Sequence, residues 1–451
     1  MDSVRIGLIG AGGMGSSHIG HLTRGEVAGA ELVSVADVDE SKLQIVRENH
    51  PDVGTHDSAE ALMDAGGIDG IIIATPHYFH PPYAIQGLER GLHVMSEKPA
   101  GVYTKQVREM NEAAGKSDRV FGIMFNQRSR PIHQKMRELV ASGELGEIKR
   151  TIYTVTDWFR AQSYYDSGGW RATWAGEGGG ALANQCPHNL DMWQWVCGMP
   201  VRVRAFIGFG KYHNIEVDDD TTAYVEYENG ASGLFMTSTG EAPGTNRLEI
   251  SADRGKVVME DGRITFWRTR ESVSQFCAEY PDGFGRPEIW ECDVPVSGGG
   301  LQEHVAVLTN WVDAIRNGTP LMAPGEEGIN GVELSNAMLL SAWTDDWVTI
   351  PVDEDLYYDK LQEHIANSTV SKDPSARKTM DVPGTFCWGT VAASVGVRRC
   401  SSGMRPSAPT GKCWSRRSSC RVSRSPCCFA MCGTSTGAAV PASASMRWSR
   451  A

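Results

Sequence analysis

The first third of the chain alternates short apolar runs with stretches of helical periodicity. Val4–Ile9 is an apolar run of strand type, residues 16–24 have a helical pattern, and residues 31–36 form a second strand-type run. The continuous apolar run over residues 68–74 is typical of a parallel strand buried on both faces, and His93–Ser96 indicates another strand. Strands that alternate with helices predict an α/β fold with a doubly wound parallel sheet.

The pattern changes after residue 200, where short alternating runs are separated by turns such as Glu228-Asn-Gly230 and Asp261-Gly262. This arrangement predicts a sheet of antiparallel type. The predicted strands cover residues 201–209, 221–227, 233–239, 248–252 and 264–268. Helical patterns follow at residues 302–316, 327–345 and 354–366.

The composition divides the chain near residue 382. The 451 residues carry a formal net charge of −12, but residues 382–451 contain ten Lys or Arg and no Asp or Glu. Removing that charge of +10 leaves −22 for residues 1–381. Seven of the 11 cysteines lie in this tail, without the C-x₂-C pairs or histidines of a zinc site. The composition is typical of out-of-frame translation of GC-rich DNA. A genuine disordered tail and a functional segment are the alternatives.

The acidic charge balance argues against nucleic acid as a partner, because proteins that bind it carry basic patches. No apolar run approaches the ~20 residues that a membrane helix needs. The run at Val4–Ile9 lacks the basic flank and the length of a signal peptide, so we expect a cytoplasmic protein with no membrane partner. No metal site is predicted, and Asp218-Asp-Asp220 is interpreted as a turn at the start of a strand.

A glycine-rich segment, Gly10-Ala-Gly12-Gly-Met-Gly15, directly follows the first predicted strand and fits G-x-G-x-x-G. The first glycine permits a tight turn, the second lets the backbone approach a pyrophosphate, and the third lets helix and strand pack closely. The helix that follows offers unpaired N–H groups to the phosphates. We therefore predict that a dinucleotide is bound by Gly10, Gly12, Gly13, Met14 and Gly15, with a purely structural glycine turn as the alternative.

Asp37 ends the second predicted strand, 22 residues after Gly15. An acidic residue at this place hydrogen-bonds the adenosine ribose hydroxyls and repels a 2′-phosphate, which favours NAD over NADP. Lys42 lies close by and softens that preference. The alternative role for Asp37 is a helix N-cap or a turn.

Two further motifs identify a family. Ala74-Thr-Pro-His-x-x-His80 and Gly91-Leu-His-Val-Met-Ser-Glu-Lys-Pro99 end predicted strands, and Glu177-Gly-Gly-Gly180 precedes Asn184-Gln-Cys-Pro-His188-Asn-Leu-Asp191. These strings resemble the Gfo/Idh/MocA oxidoreductases, the family of glucose–fructose oxidoreductase and inositol dehydrogenase. The resemblance runs from residue 4 to about residue 370.

The resemblance implies an N-terminal Rossmann domain, over residues 1–125, and a C-terminal α/β domain, over residues 126–370. The second domain would hold a large, mostly antiparallel sheet that lines the substrate site and joins the chains of a homo-oligomer, a dimer or tetramer. At the carboxyl ends of the Rossmann strands, we expect contacts with the cofactor from Thr75, Pro76, His77, His80, Glu97 and Lys98.

Lys98 and His188 are the candidate catalytic residues. A lysine beside the nicotinamide can hydrogen-bond the reacting oxygen, and it can carry a proton if burial lowers its pKa. Its alternative is an ion pair with Glu97. The resemblance makes His188 the general base, and an imidazole suits this role because its pKa lies near neutrality.

The spacing of Asn184, His188 and Asp191 would place them on one face of a helix. Asn184 stands where the family usually has Asp, so it cannot hold a negative charge or raise the pKa of His188. Asp191 is a candidate to orient His188, and a helix-packing charge is the alternative.

Residues 157–174 are rich in Trp, Tyr and Arg, a mixture that suits a pyranose ring, with packing of a loop as the alternative. Together with Lys98 and His188, the expected substrate contacts are Arg128, Arg160, Tyr164, Trp170 and Asn184.

The sequence therefore predicts an NAD-dependent dehydrogenase that oxidises a secondary hydroxyl of a sugar, an inositol or a glycoside. One alternative is a redox-neutral member that retains NAD, of the glycosidase or transhydrogenating reductase type. The other is a non-catalytic sensor that only binds dinucleotide.

Overall fold

The computed structural model describes residues 3–298, 302–370 and 372. The tail predicted over residues 382–451 lies outside the described residues, so its origin stays a prediction. The described chain contains two sheets, one parallel and one mostly antiparallel. The expected fold class, a Rossmann sheet followed by an α/β domain with a large antiparallel sheet, is confirmed.

The first sheet has six strands, all parallel. The strands are β1 (Val4–Ile9), β2 (Ala30–Ala36), β3 (Gly54–His56), β4 (Gly70–Ile73), β5 (His93–Ser96) and β6 (Phe121–Ile123). Their order is β3-β2-β1-β4-β5-β6. The order reverses between β1 and β4, and ligands of doubly wound sheets bind at the carboxyl ends of the strands at such a reversal.

Five helices connect these strands. They are α1 (Gly13–Thr23), α2 (Glu40–Asn49), α3 (Ala59–Ala65), α4 (His80–Glu89) and α5 (Thr104–Gly115). Side-chain oxygens cap two of them, since Asp39 accepts a hydrogen bond from the Ser41 amide and Ser58 accepts one from the Ala61 amide. α1 begins at Gly13, three residues before the predicted helical pattern, so the glycine turn leads directly into a helix N-terminus.

The second sheet has nine strands in the order β14-β13-β12-β11-β7-β10-β9-β8-β15. They are β7 (Ile148–Val155), β8 (Arg202–Phe209), β9 (Asp218–Glu226), β10 (Ser232–Ser238), β11 (Asn246–Ala252), β12 (Gly255–Glu260), β13 (Arg263–Thr269), β14 (Ile289–Val294) and β15 (Val348–Thr349). All neighbouring strands are antiparallel except β7 and β10, which are parallel. The strands that the sequence predicted correspond to β8, β9, β10, β11 and β13.

One face of this sheet is covered by helices, and the other carries exposed aromatic residues. The helices of this part are α6 (Pro131–Ala141), α7 (Gln162–Tyr165), α8 (Pro187–Cys197), α9 (Val273–Glu279), α10 (Glu303–Asn317), α11 (Gly328–Thr344) and α12 (Glu354–Ala366). Trp193 of α8 stacks on Phe235 of β10, with ring centroids 5.4 Å apart. On the opposite face Phe206 and Tyr224 are exposed. An oligomer through this sheet stays a prediction.

The predicted boundary near residue 125 needs one amendment, because α10 packs against the first sheet. Trp311 of α10 is fully buried in a core that includes Val4 and Ile6 of β1. Glycines leave room for its ring, since a Cβ at Gly70 would lie 3.0 Å from the ring and one at Gly122 would lie 3.4 Å from it. A helix far along the chain therefore completes the dinucleotide-type domain.

We expect Trp311→Ala to lower the free energy of unfolding by about 3–5 kcal/mol, because it leaves a cavity between α10 and the first sheet. Urea unfolding monitored by circular dichroism measures this loss. Trp347→Ala is the matched control, since Trp347 is 39% exposed and its removal opens no buried cavity. Equal losses in the two variants would contradict the assignment of Trp311 to the core.

Candidate active site

The turn between β1 and α1 accepts only glycine at its two ends. Gly10 has a φ of +97°, and a Cβ there would lie 2.6 Å from the carbonyl oxygen of Ala74. A Cβ at Gly15 would lie 1.8 Å from the carbonyl oxygen of Gly10. Both distances are far shorter than real contacts, so these glycines are required for β1 and α1 to approach each other.

The two glycines in the middle of the turn are different. A Cβ at Gly12 or Gly13 would have no neighbour within 4 Å in the described structure. The first turn of α1 also contains no acidic side chain to offset the partial positive charge of the helix N-terminus. The turn thus offers open space beside backbone N–H groups, which suits a pyrophosphate.

Asp37 lies directly beside this turn. Its buried carboxylate accepts hydrogen bonds from the Ala11 amide at 2.7 Å and from the Lys42 ammonium at 3.0 Å. The N-cap of α2 is Asp39, so the capping role considered for Asp37 belongs to a different residue. The carboxylate is placed at the carboxyl end of β2, where a Rossmann fold receives the adenosine ribose.

His80 ties the loops that follow β4 and β5 together. Its Nδ1 lies 2.7 Å from the Pro99 carbonyl oxygen, and its Nε2 lies 2.7 Å from the Thr75 carbonyl oxygen. Both ring nitrogens are engaged by the backbone, which gives His80 a structural role, and its predicted contact with a cofactor stays a prediction. The Thr75 hydroxyl, in contrast, is buried without a hydrogen-bond partner among the described residues.

Glu97 is committed to the protein interior. One carboxylate oxygen lies 2.8 Å from Nε2 of His18 on α1, and the other accepts a hydrogen bond from the Lys98 amide at 3.2 Å. Burial opposes ionisation of this carboxyl, but the contact with His18 keeps its pKa below the usual range. The side chain of Glu97 therefore joins β5 to α1.

The Lys98 ammonium does not pair with Glu97. Its Nζ donates a hydrogen bond to the Asn184 carbonyl oxygen at 3.0 Å, and the side chain is half-buried. Burial lowers the pKa of Lys98, while the negative charges of Glu97 and Glu177 act in the opposite direction. A lysine with a lowered pKa exchanges its proton more readily near neutrality.

Asn184 lies in a π-helical turn, Ala181–Gln185, that ends before α8 begins at Pro187. The single helix face predicted for Asn184 and His188 is therefore interrupted. The carboxylate of Asp218 holds this turn by accepting hydrogen bonds from the amides of Gly180 and Leu182, both at 2.7 Å. Asp218 thus has a structural use at the start of β9.

His188 stands in the first turn of α8 and is 4% exposed. Burial, followed by the positive charge of Lys98, holds the pKa of His188 well below its usual value. Its Nδ1 has no hydrogen-bond partner among the described residues, and its ring lies edge-on to Phe125. A neutral imidazole in this place can accept a proton.

Asp191 does not orient His188. Its two carboxylate oxygens receive hydrogen bonds from Arg128 at 2.6 and 2.9 Å, and Gln194 donates a third bond. Arg128 is 1% exposed and also donates to Glu327 at 2.5 Å. Its guanidinium is fully engaged in this buried group, which favours a packing role, and the predicted substrate contact of Arg128 stays a prediction.

The remaining predicted substrate residues gather near Lys98. The Tyr164 hydroxyl receives hydrogen bonds from Asn184 at 3.1 Å and from Arg171 at 2.9 Å, and the Arg160 guanidinium lies 5.1 Å from the Tyr164 ring. Trp170 packs edge-on against His77, with ring centroids 5.6 Å apart. Amide, phenol, guanidinium and indole groups therefore border the Lys98 site.

Comparison with known proteins decides the family. A model described as "Oxidoreductase family, NAD-binding Rossmann fold" matches residues 4–125, and one for the GFO/IDH/MocA C-terminal domain matches residues 133–258. Together these ranges cover more than half of the chain. The chain belongs to the GFO/IDH/MocA oxidoreductase family. It is therefore an enzyme, and its Rossmann domain binds NAD.

Individual proteins that are similar to this GFO/IDH/MocA oxidoreductase are named dehydrogenases. D-glucoside 3-dehydrogenase of Escherichia coli is 32% identical over 254 residues, which are 52% of this chain and 70% of that protein. Levoglucosan dehydrogenase of Pseudarthrobacter phenanthrenivorans is 24% identical over 397 residues, or 78% of this chain and 99% of that protein. The WlbA dehydrogenase of Chromobacterium violaceum, solved with NADH and UDP-GlcNAcA, is 28% identical, with a TM-score of 0.67 over 78% of this chain and 97% of that one.

The residues present fit NAD. Three features lie at the carboxyl edge of the parallel sheet. They are the open space at Gly12 and Gly13, the carboxylate of Asp37, and the hydroxyl of Thr75, which has no partner among the described residues.

Within the described residues, no helix is long and apolar enough to cross a membrane.

Sequence reasoning missed four residues of the site: His18, Arg171, Glu177 and His304. His18 and His304 lie edge-on, 5.9 Å apart, on helices distant in the chain. Glu177 belongs to the glycine motif, but its role was not predicted. The only signal for it was its place three residues before the end of that glycine run.

We expect Asp37→Ser to weaken NADH binding at least about tenfold and to improve NADPH binding, because the variant loses the acceptor for the ribose hydroxyls while Lys42 remains. Titration of each nucleotide, followed by fluorescence, measures both affinities. Asp39→Ser is the matched control, since serine keeps the N-cap of α2 and removes a nearby carboxylate. An unchanged preference for NADH over NADPH in Asp37→Ser would contradict the assignment of Asp37 to the adenosine ribose.

We expect Arg128→Met to lower the free energy of unfolding by about 3–5 kcal/mol, because it leaves Asp191 buried without its partner. Arg137→Met, at an exposed guanidinium over Trp195, should have a much smaller effect. Chemical unfolding gives both values. A selective loss of substrate affinity without a loss of stability would instead support the original substrate role of Arg128.

Proposed function

We propose that this enzyme transfers a hydride from a secondary hydroxyl of a sugar, an inositol or a glycoside to NAD. The observation that carries the proposal is a half-buried Lys98, whose ammonium donates to the Asn184 carbonyl, together with a buried His188 whose Nδ1 has no hydrogen-bond partner among the described residues. The positive charge of Lys98 contributes to the lowered pKa of His188. A proton acceptor beside a hydrogen-bond donor is what oxidation of an alcohol requires.

The substrate class rests on the relatives and on the groups around Lys98. Relatives named D-glucoside 3-dehydrogenase, inositol 2-dehydrogenase and levoglucosan dehydrogenase all take polyhydroxylated rings as their named substrates. Tyr164, Asn184 and Arg160 offer hydrogen bonds to hydroxyl groups, and Trp170 offers a flat apolar surface. Such a mixture of a few placed polar groups and aromatic rings is typical of a small-molecule site.

The bound nicotinamide would supply the hydride acceptor. Gly12 and Gly13 would hold its pyrophosphate, and Asp37 would hold the adenosine ribose. Lys98 would donate a hydrogen bond to the reacting oxygen, and neutral His188 would accept the hydroxyl proton. The positions of these groups, at the carboxyl ends of β5 and at the start of α8, bring the two domains to one reaction centre.

The pH dependence of the rate follows from the lowered pKa values of His188 and Lys98. Because the pKa of His188 is lowered, its neutral form persists below the usual titration range, and activity is lost as the pH falls through the lowered value. Because the pKa of Lys98 is also lowered, its protonated form is lost at a lower alkaline pH than for an exposed lysine. The plot of rate against pH should therefore have an acidic limb and an alkaline limb, and Lys98 sets the alkaline limb.

The experiment is incubation of the full chain with NAD and a panel of inositols, aldoses and glycosides, followed by NADH absorbance. We expect Lys98→Ala to lower kcat about 10²–10⁴-fold and to abolish the alkaline limb, because the hydrogen bond to the reacting oxygen is lost. NAD affinity should remain within a few-fold of the wild type.

Lys105→Ala is the matched control, since Lys105 is an exposed lysine paired with Asp355. Wild-type turnover in Lys98→Ala would contradict the assigned role. NAD that co-purifies without net NADH formation would support the redox-neutral type of enzyme instead. Binding of NAD with no reaction on any substrate would support a sensor.

A further inference from the structure

A buried carboxylate, Glu177, lies behind the Lys98 site and has no part in the proposed reaction. We infer that Glu177 is a positioning residue for Lys98: it fixes Asn184, whose carbonyl holds the ammonium, and it supplies the negative charge that Asn184 lacks. The importance of this arrangement for turnover rests on the proposed dehydrogenase function. The arrangement itself does not.

Three separate segments hold Glu177 in place. Its Oε2 accepts a hydrogen bond from the Ala172 amide at 2.6 Å, and its Oε1 accepts one from the side-chain amide of Asn184. Its backbone carbonyl oxygen lies 3.2 Å from Nδ1 of His77. The residue is 1% exposed, so the carboxylate has a single defined orientation.

Asn184 connects this carboxylate to Lys98. Its side-chain nitrogen donates to Glu177 and to the Tyr164 hydroxyl, while its backbone carbonyl accepts the hydrogen bond from Lys98. Rotation of the Asn184 side chain would break both side-chain bonds. Glu177 thus fixes the side chain of the residue whose backbone carbonyl accepts the hydrogen bond from Lys98, although no direct hydrogen bond joins the two charged groups in the described structure.

The carboxylate of Glu177 is one of two negative charges that favour the ammonium form of Lys98. Burial and the guanidinium groups of Arg171 and Arg160 disfavour an ammonium at Lys98, and Glu97 and Glu177 favour it. Glu97 is already engaged by His18 and by the backbone. Of the two acidic residues, Glu177 is the one that comes from the second predicted domain.

Glu177 is itself close to titrating in the neutral range. Burial raises its pKa to about 7, against the opposing effect of Arg171. The titratable or charged groups that face it from the surrounding elements are Arg171, Lys372, Lys98, Tyr164, Tyr165 and His77. The Arg171 guanidinium lies 3.9 Å from Oε1 of Glu177.

A purely structural role is the competing explanation, because Glu177 also closes the turn at Ala172, which has a φ of +52°. A variant that moves the negative charge from residue 177 to residue 184 separates the positioning role from the purely structural one. The double variant E177Q/N184D places the carboxylate on residue 184 and the amide on residue 177, so the pair can still hydrogen-bond while the negative charge stays in the site.

The test measures the pKa of Lys98 directly in the full chain. Competitive labelling with acetic anhydride across a pH series, followed by mass spectrometry of the peptide that contains Lys98, reports this value without any substrate. We expect Glu177→Gln to lower the pKa of Lys98 by about one unit, and the double variant to restore it, because an opposite charge favours the ammonium.

Turnover gives the second measurement. We expect Glu177→Gln to lower kcat at least about tenfold with NAD affinity unchanged, and E177Q/N184D to recover most of the loss. Glu216→Gln is the matched control, since Glu216 accepts a hydrogen bond from Trp174 in the same loop without contacting Asn184 or Lys98. It should leave the pKa of Lys98 unchanged.

An unchanged pKa of Lys98 in Glu177→Gln, or failure of the double variant to restore it, would overturn the inference. If Glu177→Gln does not fold, Glu177→Asp and the double variant replace it, and a pKa of Lys98 that departs from the wild-type value in both variants, although both keep the charge, would overturn the inference. Absence of turnover in the wild type, with the labelling shifts present, would reject the proposed dehydrogenase function and leave this positioning role supported.

Discussion

The hydrogen bond from the Lys98 ammonium to the Asn184 carbonyl is the contact on which the site depends. It joins the carboxyl end of β5, in the parallel sheet, to the π-helical turn that precedes α8 in the second domain. The glycine turn, the Asp37 carboxylate and the strand-end loops belong to the parallel sheet, where the dinucleotide would bind. The aromatic loop and α8, with Tyr164 and His188, belong to the second part.

The other buried charges of the site are neutralised by partners, and this keeps them away from the reaction centre. Arg128 is held by Asp191 and Glu327, and Glu97 is held by His18. A buried charge without a partner is strongly destabilising. These charged residues can therefore lie in the core because each of them is paired. The consequence of these pairs is that the charges of Arg128 and Glu97 are compensated within the protein.

Local signals in the sequence were sufficient for the sheet and the cofactor turn, whereas the catalytic roles of Lys98 and His188 stay predictions. Glycines at Gly10 and Gly15 act through backbone sterics, and strand ends follow from apolar runs, so both are visible in a single stretch of chain. The pairs Arg128–Asp191 and His18–Glu97 join residues 63 and 79 positions apart, and no local pattern specifies such contacts. For the same reason, the pairing of Arg128 with Asp191 and the packing of α10 against the first sheet were not predicted. β7 and β14 were not predicted, since their exposed polar positions weaken the alternating pattern.

The replacement of the family's usual Asp by Asn184 has a physical consequence that the position of Glu177 makes clear. A carboxylate on residue 184 would add a negative charge four residues before His188, and a nearby opposite charge raises the pKa of a histidine. Here the carboxylate lies behind the asparagine, where it acts on Lys98 through the Asn184 amide. His188 consequently keeps no anionic partner in the described structure, and its Nδ1 is unpaired, so the imidazole stays neutral and available as a base. The separation of the negative charge from the histidine thus divides the two tasks, with a charged hydrogen-bond donor at Lys98 and an uncharged acceptor at His188.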